Sequence, residues 1–538
     1  MRSRSRFLRW CRPSFATAAL LATLAFSGRA GAAPIVREGD VPPGDPDHFF
    51  IDFDVPAGIE EIEIRHDDRS DANILDWGLD DPDGYRGWGG GTSEPVIVNA
   101  QAASRAYVPG PIKPGKWRVV VGKAKVVASP AVYHVEIDLK AAATLAPVPR
   151  APYVPPPPRK TETRFYAGDF HVHDRESTDS DATIEEIVAL AKQRGLDFVE
   201  LSDHNTITQL DFFNEFHARE PGFLLLPGIE FTTYDGHANA IGATQWVDHK
   251  IGQPGVTISG AADAILAQGA AFSINHPALD LGDQCIGCAW KHDLDPSKIS
   301  AVEIATLGVR GAGRIFSKQA IAFWDGLLAK GFHVAPIGGS DDHKAGREKS
   351  FLPNPIGNPT TLVRARELSA AAIVEGVLAG ATVVKLGGPT DPMIDLEAAT
   401  TKDGEALAFV GATLGARSIV LRVKVSGRPP GEEHQLRILK NGEPFGEPID
   451  VTGDPFAYEI VVDAPAQGED RYRAEVLLEG DPLTVTSHIW LKLDPAGPVA
   501  AAPADDGGCN ASGSAPPWTA ALLLLVGVAA WRKGKERR

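Results

Sequence analysis

Sulfur-containing residues are scarce in this chain of 538 residues, which has four cysteines and two methionines. Cys11 and Cys509 lie in the terminal segments, so only Cys285 and Cys288 belong to the body of the chain. A fold held together by many disulfides, as in small secreted scaffolds, is therefore excluded. The C-x-x-C spacing predicts a small disulfide-closed loop. A zinc site there would need two further ligands, and only His292 is close in sequence.

Basic residues are also outnumbered, because 53 Lys and Arg face 70 Asp and Glu, for a formal net charge of -17. Binding to DNA or RNA needs a basic face, so nucleic acid is not an expected partner. Hydrophobic residues make up 43% of the chain and charged residues 23%, which is typical of globular domains with ample cores. At this length, three or four structural units are expected.

Long apolar runs stand out at the two ends of the chain. At the N-terminus, residues 1–32 combine an arginine-rich start, the apolar stretch Phe15 to Phe26 and an Ala30-Gly31-Ala32 cleavage motif. This pattern predicts a signal peptide. We therefore expect the working part of the protein to be exported, in a compartment that permits disulfides.

At the C-terminus, residues 495–514 form a loose linker that contains Cys509, and residues 515–538 form an apolar run with a basic tip. This run is at the short edge of what spans a bilayer, and the basic tip should stay in the cytoplasm. The tail resembles the MYXO-CTERM sorting tails of myxobacterial surface proteins, which implies that the Cys is processed and lipidated. A plain tail anchor is the alternative, and either one predicts attachment to the cell envelope through the membrane.

Two regions show the period-two alternation of β-strands. Residues 35–145 predict an N-terminal β-sandwich, and residues 399–494, with a type I′ turn at Asn441-Gly442, predict a C-terminal immunoglobulin-like sandwich. The proline-rich residues 146–160 form a stiff linker. Three aromatic residues of the first sandwich could form a glycan platform, although core packing is the simpler interpretation: Trp77, Tyr85 and Trp88.

The central region, residues 161–398, alternates apolar strand candidates with amphipathic helices, which predicts a parallel α/β architecture. The first strand ends in His171-Val172-His173, and alternate side chains of a strand share a face, so both imidazoles can bind one cation. A helix follows, with a capping box of Thr183 and Glu186. Ligand-type residues therefore recur at the carboxyl ends of strands, where a βα barrel has its active site.

Nine ligand-type side chains lie at or just beyond these predicted strand ends, and six of the chain's 15 histidines are among them. The set is His171, His173, Asp179, His204, Glu230, His237, His276, Asp341 and His343. Imidazole and carboxylate ligands together suit Zn, Mn or Fe. So many metal-type ligands in one domain are hard to explain as isolated surface or core residues.

The motifs H-x-H, S-D-H-N, P-G-I-E-F, G-H-x-N, N-H-P and G-S-D-D-H resemble the PHP (polymerase and histidinol phosphatase) family, in particular its CehA/McbA branch. The resemblance covers about residues 166–398. It implies a multidomain protein whose central α/β region is a distorted (β/α)7 barrel, flanked by the two β-sandwiches, with two or three divalent metals. By the family pattern, His171, His173, Glu230 and Asp341 hold one metal, Glu230 and His276 a second, and Asp179, His204 and His343 a third.

Two departures from this pattern leave alternatives open. The loop after H-x-H is one residue longer than in many relatives, so Asp181 competes with Asp179 as a ligand. Where many relatives have a histidine beyond the bridging Glu, this chain offers His237 and Asn239, which share a strand face.

The predicted activity is a metal-dependent phosphoesterase in which a metal-bridging hydroxide attacks small anionic phosphoesters. Asp203 would orient an imidazole, and four basic residues after the last strands could bind an anionic substrate: Arg310, Arg314, Lys344 and Arg347. One alternative is a hydrolase of carboxylic or carbamate esters, since the same nucleophile attacks either centre. Another is a surface binding protein with a vestigial PHP barrel.

Overall fold

The computed structural model of the protein describes residues 33–306, 313–349 and 353–501. The predicted signal peptide, the predicted tail with Cys509, and Arg310 lie outside the described residues. Within these ranges, no helix combines the length and the apolar character that a membrane span needs. The predictions of export and of a membrane anchor therefore stay predictions.

The N-terminal part is built from antiparallel strands only. Its eight strands are β1 (Ile35–Asp40), β2 (His48–Val55), β3 (Glu61–Asp67), β4 (Ile74–Asp81), β5 (Gly84–Gly90), β6 (Val96–Asn99), β7 (Gly115–Lys125) and β8 (Val132–Lys140). They form two sheets of four strands, β1-β8-β3-β6 and β2-β7-β4-β5. Side chains from both sheets, such as Ile62 from one and Trp117 from the other, share one buried core. This is the layered arrangement of a β-sandwich.

The three aromatic residues of the possible glycan platform are packed inside the structure. Trp77 belongs to the core of the sandwich. Tyr85 stacks on Trp246 with ring centroids 4.1 Å apart, and Trp88 meets His249 edge-on at 4.5 Å. Core packing therefore holds for Trp77, whereas Tyr85 and Trp88 pack against residues of the central region.

The central region alternates strands and helices. Its strands are β9 (Arg164–Val172), β10 (Phe198–Leu201), β11 (Leu224–Pro227), β12 (Glu230–Thr233), β13 (Gly236–Ile241), β14 (Ala271–Ile274), β15 (Ala301–Ala305), β16 (Ala335–Gly338), β17 (Thr360–Ala365) and β18 (Thr382–Lys385). Its α-helices are α1 (Ile184–Gln193), α2 (Phe213–Arg219), α3 (Ile258–Leu266), α4 (Gly313–Ala329) and α5 (Ala370–Leu378).

Helix α1 begins as the sequence predicts. The Thr183 hydroxyl accepts the Glu186 N–H at 3.2 Å, and the Glu186 carboxylate accepts the Thr183 N–H at 3.0 Å. The capping box satisfies two backbone donors that the first turn leaves free. The apolar stripe of the helix is buried, so this strand–helix–strand unit is confirmed.

The central strands form two sheets. In one, β9, β10 and β11 are parallel and β17 adds antiparallel to β9. In the other, β14, β15 and β16 are parallel, β13 adds antiparallel to β14, and β12 adds antiparallel to β13. Two isolated parallel bridges connect them, Val172 with Asp342 and His204 with Glu230. The predicted parallel strands are thus present with antiparallel additions. This pairing does not show a closed (β/α)7 barrel, which stays a prediction.

The C-terminal part is again all strand. It contains β19 (Met393–Ala399), β20 (Ala406–Phe409), β21 (Thr413–Ala416), β22 (Ser418–Ser426), β23 (His434–Lys440), β24 (Glu443–Pro444), β25 (Ile449–Asp450), β26 (Phe456–Asp463), β27 (Glu469–Leu478), β28 (Asp481–Thr486) and β29 (Ile489–Leu493). Asn441 and Gly442 both have positive φ, as the predicted type I′ hairpin turn requires. Strand β28 pairs with β18, so one of the central sheets continues into this part.

Candidate metal centre

The candidate ligands gather where the carboxyl ends of the parallel strands meet. His173 follows β9, His204 follows β10, His276 follows β14, and Asp341 and His343 follow β16. His276 and Asp341 have φ angles of 26° and 60°, a region that side chains other than glycine rarely adopt. Backbone strain of this kind clusters at functional sites, where the surrounding structure compensates for it.

The first group of ligand atoms comes from two imidazoles and two carboxylates. His171 Nε2 is 3.3 Å from Glu230 Oε1 and 3.3 Å from Asp341 Oδ1. His173 Nε2 is 3.4 Å from Glu230 Oε2 and 3.2 Å from Asp341 Oδ1. The four ligand atoms all lie within 4.8 Å of one another. This donor set suits a divalent transition metal such as Zn, Mn or Fe.

A second group joins the ring nitrogens of His173, His204 and His343, again within 4.8 Å of one another. Asp179 Oδ2 lies 3.2 Å from His204 Nε2 and 3.4 Å from His343 Nε2. Asp181 instead faces a guanidinium group 3.0 Å away. Of the two competing carboxylates, the structure therefore brings Asp179 to the imidazoles.

A third group forms on the other side of Glu230. Its Oε1 lies 3.1 Å from His237 Nδ1 and 3.4 Å from His276 Nε2. Asn239 faces elsewhere, because its amide donates a hydrogen bond to the Phe170 carbonyl at 2.5 Å. Of the two open candidates, the structure brings His237 to the cluster. Glu230 thus contacts imidazoles of all three groups.

Cys288 lies beside this third group, with its Sγ within 4.8 Å of ligand atoms of His237 and His276. It is joined to Cys285 in a disulfide, which confirms the predicted loop. A disulfide sulfur is not the thiolate that binds metals, so we do not count it as a ligand. His292 contacts the hydroxyl of a threonine at 2.7 Å rather than a cysteine.

Glu303 is a member of the cluster that the sequence analysis missed. It lies on β15 with 1% exposure, and its Oε2 accepts the backbone N–H of His276 at 2.8 Å. The same oxygen lies 3.4 Å from His171 Nδ1. The available signal was an acidic residue inside the apolar run Ala301–Ala305, where a charge is costly unless it is paired.

Three imidazoles have an oxygen near their Nδ1 atom, which leaves Nε2 for the ligand groups. His171 Nδ1 faces Glu303, His276 Nδ1 lies 3.2 Å from the Cys288 carbonyl, and His343 Nδ1 lies 2.9 Å from the Asp341 carbonyl. His204 Nδ1 differs, because it lies 2.7 Å from Thr232 Oγ1 and also 2.8 Å from Glu230 Oε2. Partners of this kind fix the ring orientation and the tautomer of metal-binding histidines. The remaining ring nitrogens are thereby directed at the carboxylates.

Several buried atoms of the cluster have no hydrogen-bond partner, namely His171 Nε2, both ring nitrogens of His173, His237 Nε2 and Glu230 Oε2. Buried polar atoms are nearly always paired, so the unpaired His171 Nε2, His173 Nε2 and Glu230 Oε2, which belong to one ligand group, fit a bound cation. Burial and two neighbouring imidazoles lower the pKa of His173 to about 3, which keeps it in the neutral form that binds metal. Burial raises the pKa of Glu230, but the imidazoles around it outweigh this and hold the pKa well below its usual range.

The residues predicted to assist catalysis lie around the cluster. Asp203 lies 4.0 Å from His173 Nδ1 and accepts the Asp174 N–H at 2.9 Å, so its nearest ligand is His173 rather than its sequence neighbour. Lys344 donates to the Asp179 carbonyl at 3.2 Å. Arg347 pairs with Asp181 at 3.0 Å and with a glutamate of α1 at 2.6 Å. Both cations therefore contact the loop that carries Asp179.

Arg314 forms an ion pair with Asp481 of β28. Of the four basic residues expected to bind an anion, only Lys344 and Arg347 are described near the cluster.

A cavity of about 620 Å³ opens onto the cluster. Its lining includes six of the candidate ligands: Asp179, His204, Glu230, His237, Asp341 and His343. Among the described residues that line it, none is Lys or Arg. The metal ligands are thus accessible to a small molecule, and the cations near the cluster are outside the cavity wall.

No protein-family model and no curated protein matches the chain. Among solved structures, it is similar to a two-domain protein from Bacteroides vulgatus that contains a predicted PHP-like metal-dependent phosphoesterase. Identity is 18%, the match covers 63% of this chain and 98% of that chain, and the TM-score is 0.33. A CARDB domain from Pyrococcus furiosus, in complex with di-metal ions, matches 19% of this chain and 88% of its own at 13% identity and a TM-score of 0.14. At these values neither likeness adds an argument to the geometry of the site.

Proposed function

We propose that the protein is a metal-dependent hydrolase, and specifically a phosphoesterase. The observation that carries the proposal is that one buried carboxylate, Glu230, lies within 3.4 Å of imidazoles from all three ligand groups. A cluster of this kind has no role in core packing, because burying unpaired polar atoms costs about 1–3 kcal/mol each.

Each of the three groups would hold one cation. His171, His173, Glu230 and Asp341 would hold one ion, and His204, His343 and Asp179 a second, while a third would lie between Glu230, His237 and His276. When bound, such ions polarise the attacked oxygen and make water a nucleophile at neutral pH. The chain's own contribution is to fix the imidazole tautomers and to keep Glu230 ionised.

Two substrate chemistries remain candidates, because this type of site can act on phosphoryl and carbonyl centres alike. The lining of the cavity is a reason to keep the second candidate function, a hydrolase of carboxylic or carbamate esters. Of the described lining residues none is cationic, whereas a dianionic phosphate would be expected to recruit Arg or Lys. We retain the phosphoester as the primary proposal, with the cations themselves as its charge partners.

Export and attachment to the envelope belong to the same proposal. The support is the sequence of residues 1–32 and 515–538, together with the disulfide between Cys285 and Cys288, which is a feature of oxidising compartments.

The test combines metal analysis with a panel of substrates. Elemental analysis of the purified protein is expected to find two or three transition-metal ions per chain, and less than one ion would contradict the proposal. The value of kcat/KM is then compared for an aryl phosphate, an aryl phosphodiester and an aryl carbamate at identical metal loading. A preference for the carbamate of more than about tenfold, or about 1.4 kcal/mol of transition-state binding, would move the assignment to the ester hydrolase. Bound metal without turnover of any of them would favour a binding protein.

A further inference from the structure

The cavity is not formed by the central region alone. Part of its lining comes from the N-terminal sandwich, from β4, β5, the turn after β5 and the end of β7. We call this the sandwich wall, and its residues are Ile74, Asp76, Trp88, Gly89, Gly90, Gly91, Thr92 and Ala124. A domain that the sequence would class as an appendage therefore lies within reach of anything that occupies the cavity.

The sandwich wall is tied to the loop that carries a metal ligand. The Thr178 hydroxyl donates to the Gly89 carbonyl at 2.5 Å, and Arg105 of the sandwich donates to the Thr178 and Ser180 carbonyls, each at 2.6 Å. Thr178 and Ser180 flank Asp179. The wall and this ligand are therefore held in one hydrogen-bonded unit.

A second attachment lies deeper in the cavity. The Tyr234 hydroxyl, from the turn between β12 and β13, donates to Asp76 Oδ2 at 2.7 Å. Tyr85 donates to the Asn205 carbonyl at 2.9 Å and stacks on Trp246. Both contacts come from elements adjacent to metal ligands, so the wall has a defined position relative to the cluster.

Away from the ligands, the cavity lining combines large apolar side chains with Thr, Ser, Asn, Tyr and Asp residues, and none of the described residues there is Lys or Arg. Ile74 and Trp88 face it from the sandwich, and Leu281 and Ile286 from the central region. Its acids are already engaged: Asp76 by Tyr234, and Asp283 by Lys125 at 2.6 Å.

The sandwich wall also leaves space. A side-chain carbon built on Gly90, where φ is 56°, would meet nothing within 4 Å. Cavities of about 300–1,000 Å³ hold ligands of drug size, so a phosphate ion at the metal ligands would leave most of the 620 Å³ unfilled.

We propose that the sandwich wall is the subsite for the part of the substrate that does not react, and that this part is an uncharged apolar group such as an aryl ring. The inference rests on the proposed function, because it takes the metal ligands as the reacting end of the cavity. The N-terminal sandwich then sets substrate specificity, whereas the central region performs the chemistry.

The test uses a matched pair of ligands and a matched pair of variants. Diphenyl phosphate and dimethyl phosphate share the charged centre and differ only in the groups that would meet the wall. Their affinities for the metal-loaded, full-length protein are measured by calorimetry, and turnover is measured in parallel with phenyl and methyl esters of 4-nitrophenyl phosphate. Ile74→Ala trims the wall, and Ile97→Ala is the control, because Ile97 is a half-buried isoleucine of the same sandwich that is not among the lining residues.

We expect the phenyl ligand to bind at least tenfold more tightly than the methyl ligand, and Ile74→Ala to reduce this preference at least threefold while Ile97→Ala preserves it. Equal affinities, or a preference that Ile74→Ala leaves unchanged, would overturn the subsite even if hydrolysis is observed. Preferential binding of the phenyl ligand without any turnover would support the subsite and contradict the phosphoesterase. Binding of neither ligand would overturn both.

Discussion

Replacing Glu303 by glutamine tests how the cluster is organised, because this residue contacts two histidines that come from different strands. Its Oε2 accepts the N–H of His276 at 2.8 Å and lies 3.4 Å from His171 Nδ1, while its Oε1 has no partner. The substitution keeps the volume and removes the charge. On the other side of the ring, His171 Nε2 lies 3.3 Å from both Glu230 and Asp341. The Glu303 carboxylate, the His171 imidazole and the predicted metal position therefore follow one another in a row.

The magnitude follows from what such a carboxylate does. Mutation of a carboxylate that orients a metal-binding histidine costs about 10- to 100-fold in metal affinity, which corresponds to about 1.4–2.7 kcal/mol. We therefore expect Glu303→Gln to bind its first metal ion 10- to 100-fold more weakly. Because no ligand has been removed, kcat/KM at saturating metal should recover to within about tenfold of the wild-type value.

The assay is a competition titration against a chromophoric chelator, followed by kinetics at low and at saturating metal. Glu200→Gln is the matched control, because Glu200 is fully buried on β10 of the other central sheet and its carboxyl oxygens have no hydrogen-bond partner. Burial raises the pKa of Glu200 well above its usual range, so the change to glutamine removes little charge. Wild-type metal affinity in Glu303→Gln, or an equal loss in Glu200→Gln, would refute the reasoning.

Four further predictions follow from particular contacts. Asp179→Asn is expected to lose one metal ion per chain by elemental analysis, whereas Asp181→Asn keeps the full complement; equal losses would contradict the ligand assignment. Removal of metal by a chelator should lower Tm and re-addition should restore it, because a ligand that binds only the folded state stabilises it; a Tm that does not depend on metal would count against the site. Burial raises the pKa of Glu61, but hydrogen bonds from Leu145, Thr144, Asn99 and Lys140 outweigh it and lower the pKa to about 2. The stability from this carboxylate is thus present above its unfolded pKa of about 4.3 and lost as pH falls toward 2, so Glu61→Gln should flatten the acid limb of a Tm-against-pH curve, and an unchanged limb would refute the linkage. Cell fractionation should find a processed chain in the envelope, and a full-length chain in the cytoplasm, with residues 1–32 intact, would contradict export.

The sequence alone was sufficient where the signal is local. The capping box of Thr183 and Glu186, the period-two strands of the sandwiches and the H-x-H pair on one strand face each depend on residues a few positions apart. The grouping of His173, His204, His276, Asp341 and His343 followed from a local pattern, because each comes just after a parallel strand. Glu230 and His237 lie on β12 and β13, which join by antiparallel pairing, so their place in the same cluster depended on the tertiary structure.

Tertiary structure decided what depends on distant partners. Asp179 and Asp181 are equivalent in sequence, and only the positions of His204, His343 and Arg347 distinguish them. Glu303 looked like one acid in an apolar strand until two histidines from other strands were placed against it. The sequence predicted an anion-binding role for the basic residues from their position after strand ends. In the structure, Arg314 pairs with Asp481, Arg347 pairs with Asp181, and Lys344 donates to the Asp179 carbonyl.

The same reason explains the sandwich wall. Alternating apolar residues specify that residues 35–145 form strands, but not which edge of the sandwich faces another part of the chain, because a docked edge and a free edge share the same periodicity. The contacts of Asp76 with Tyr234 and of Gly89 with Thr178 join residues about 90 or more positions apart. Packing over such separations is set by the shape and the polar complementarity of complete surfaces, which only the folded chain presents.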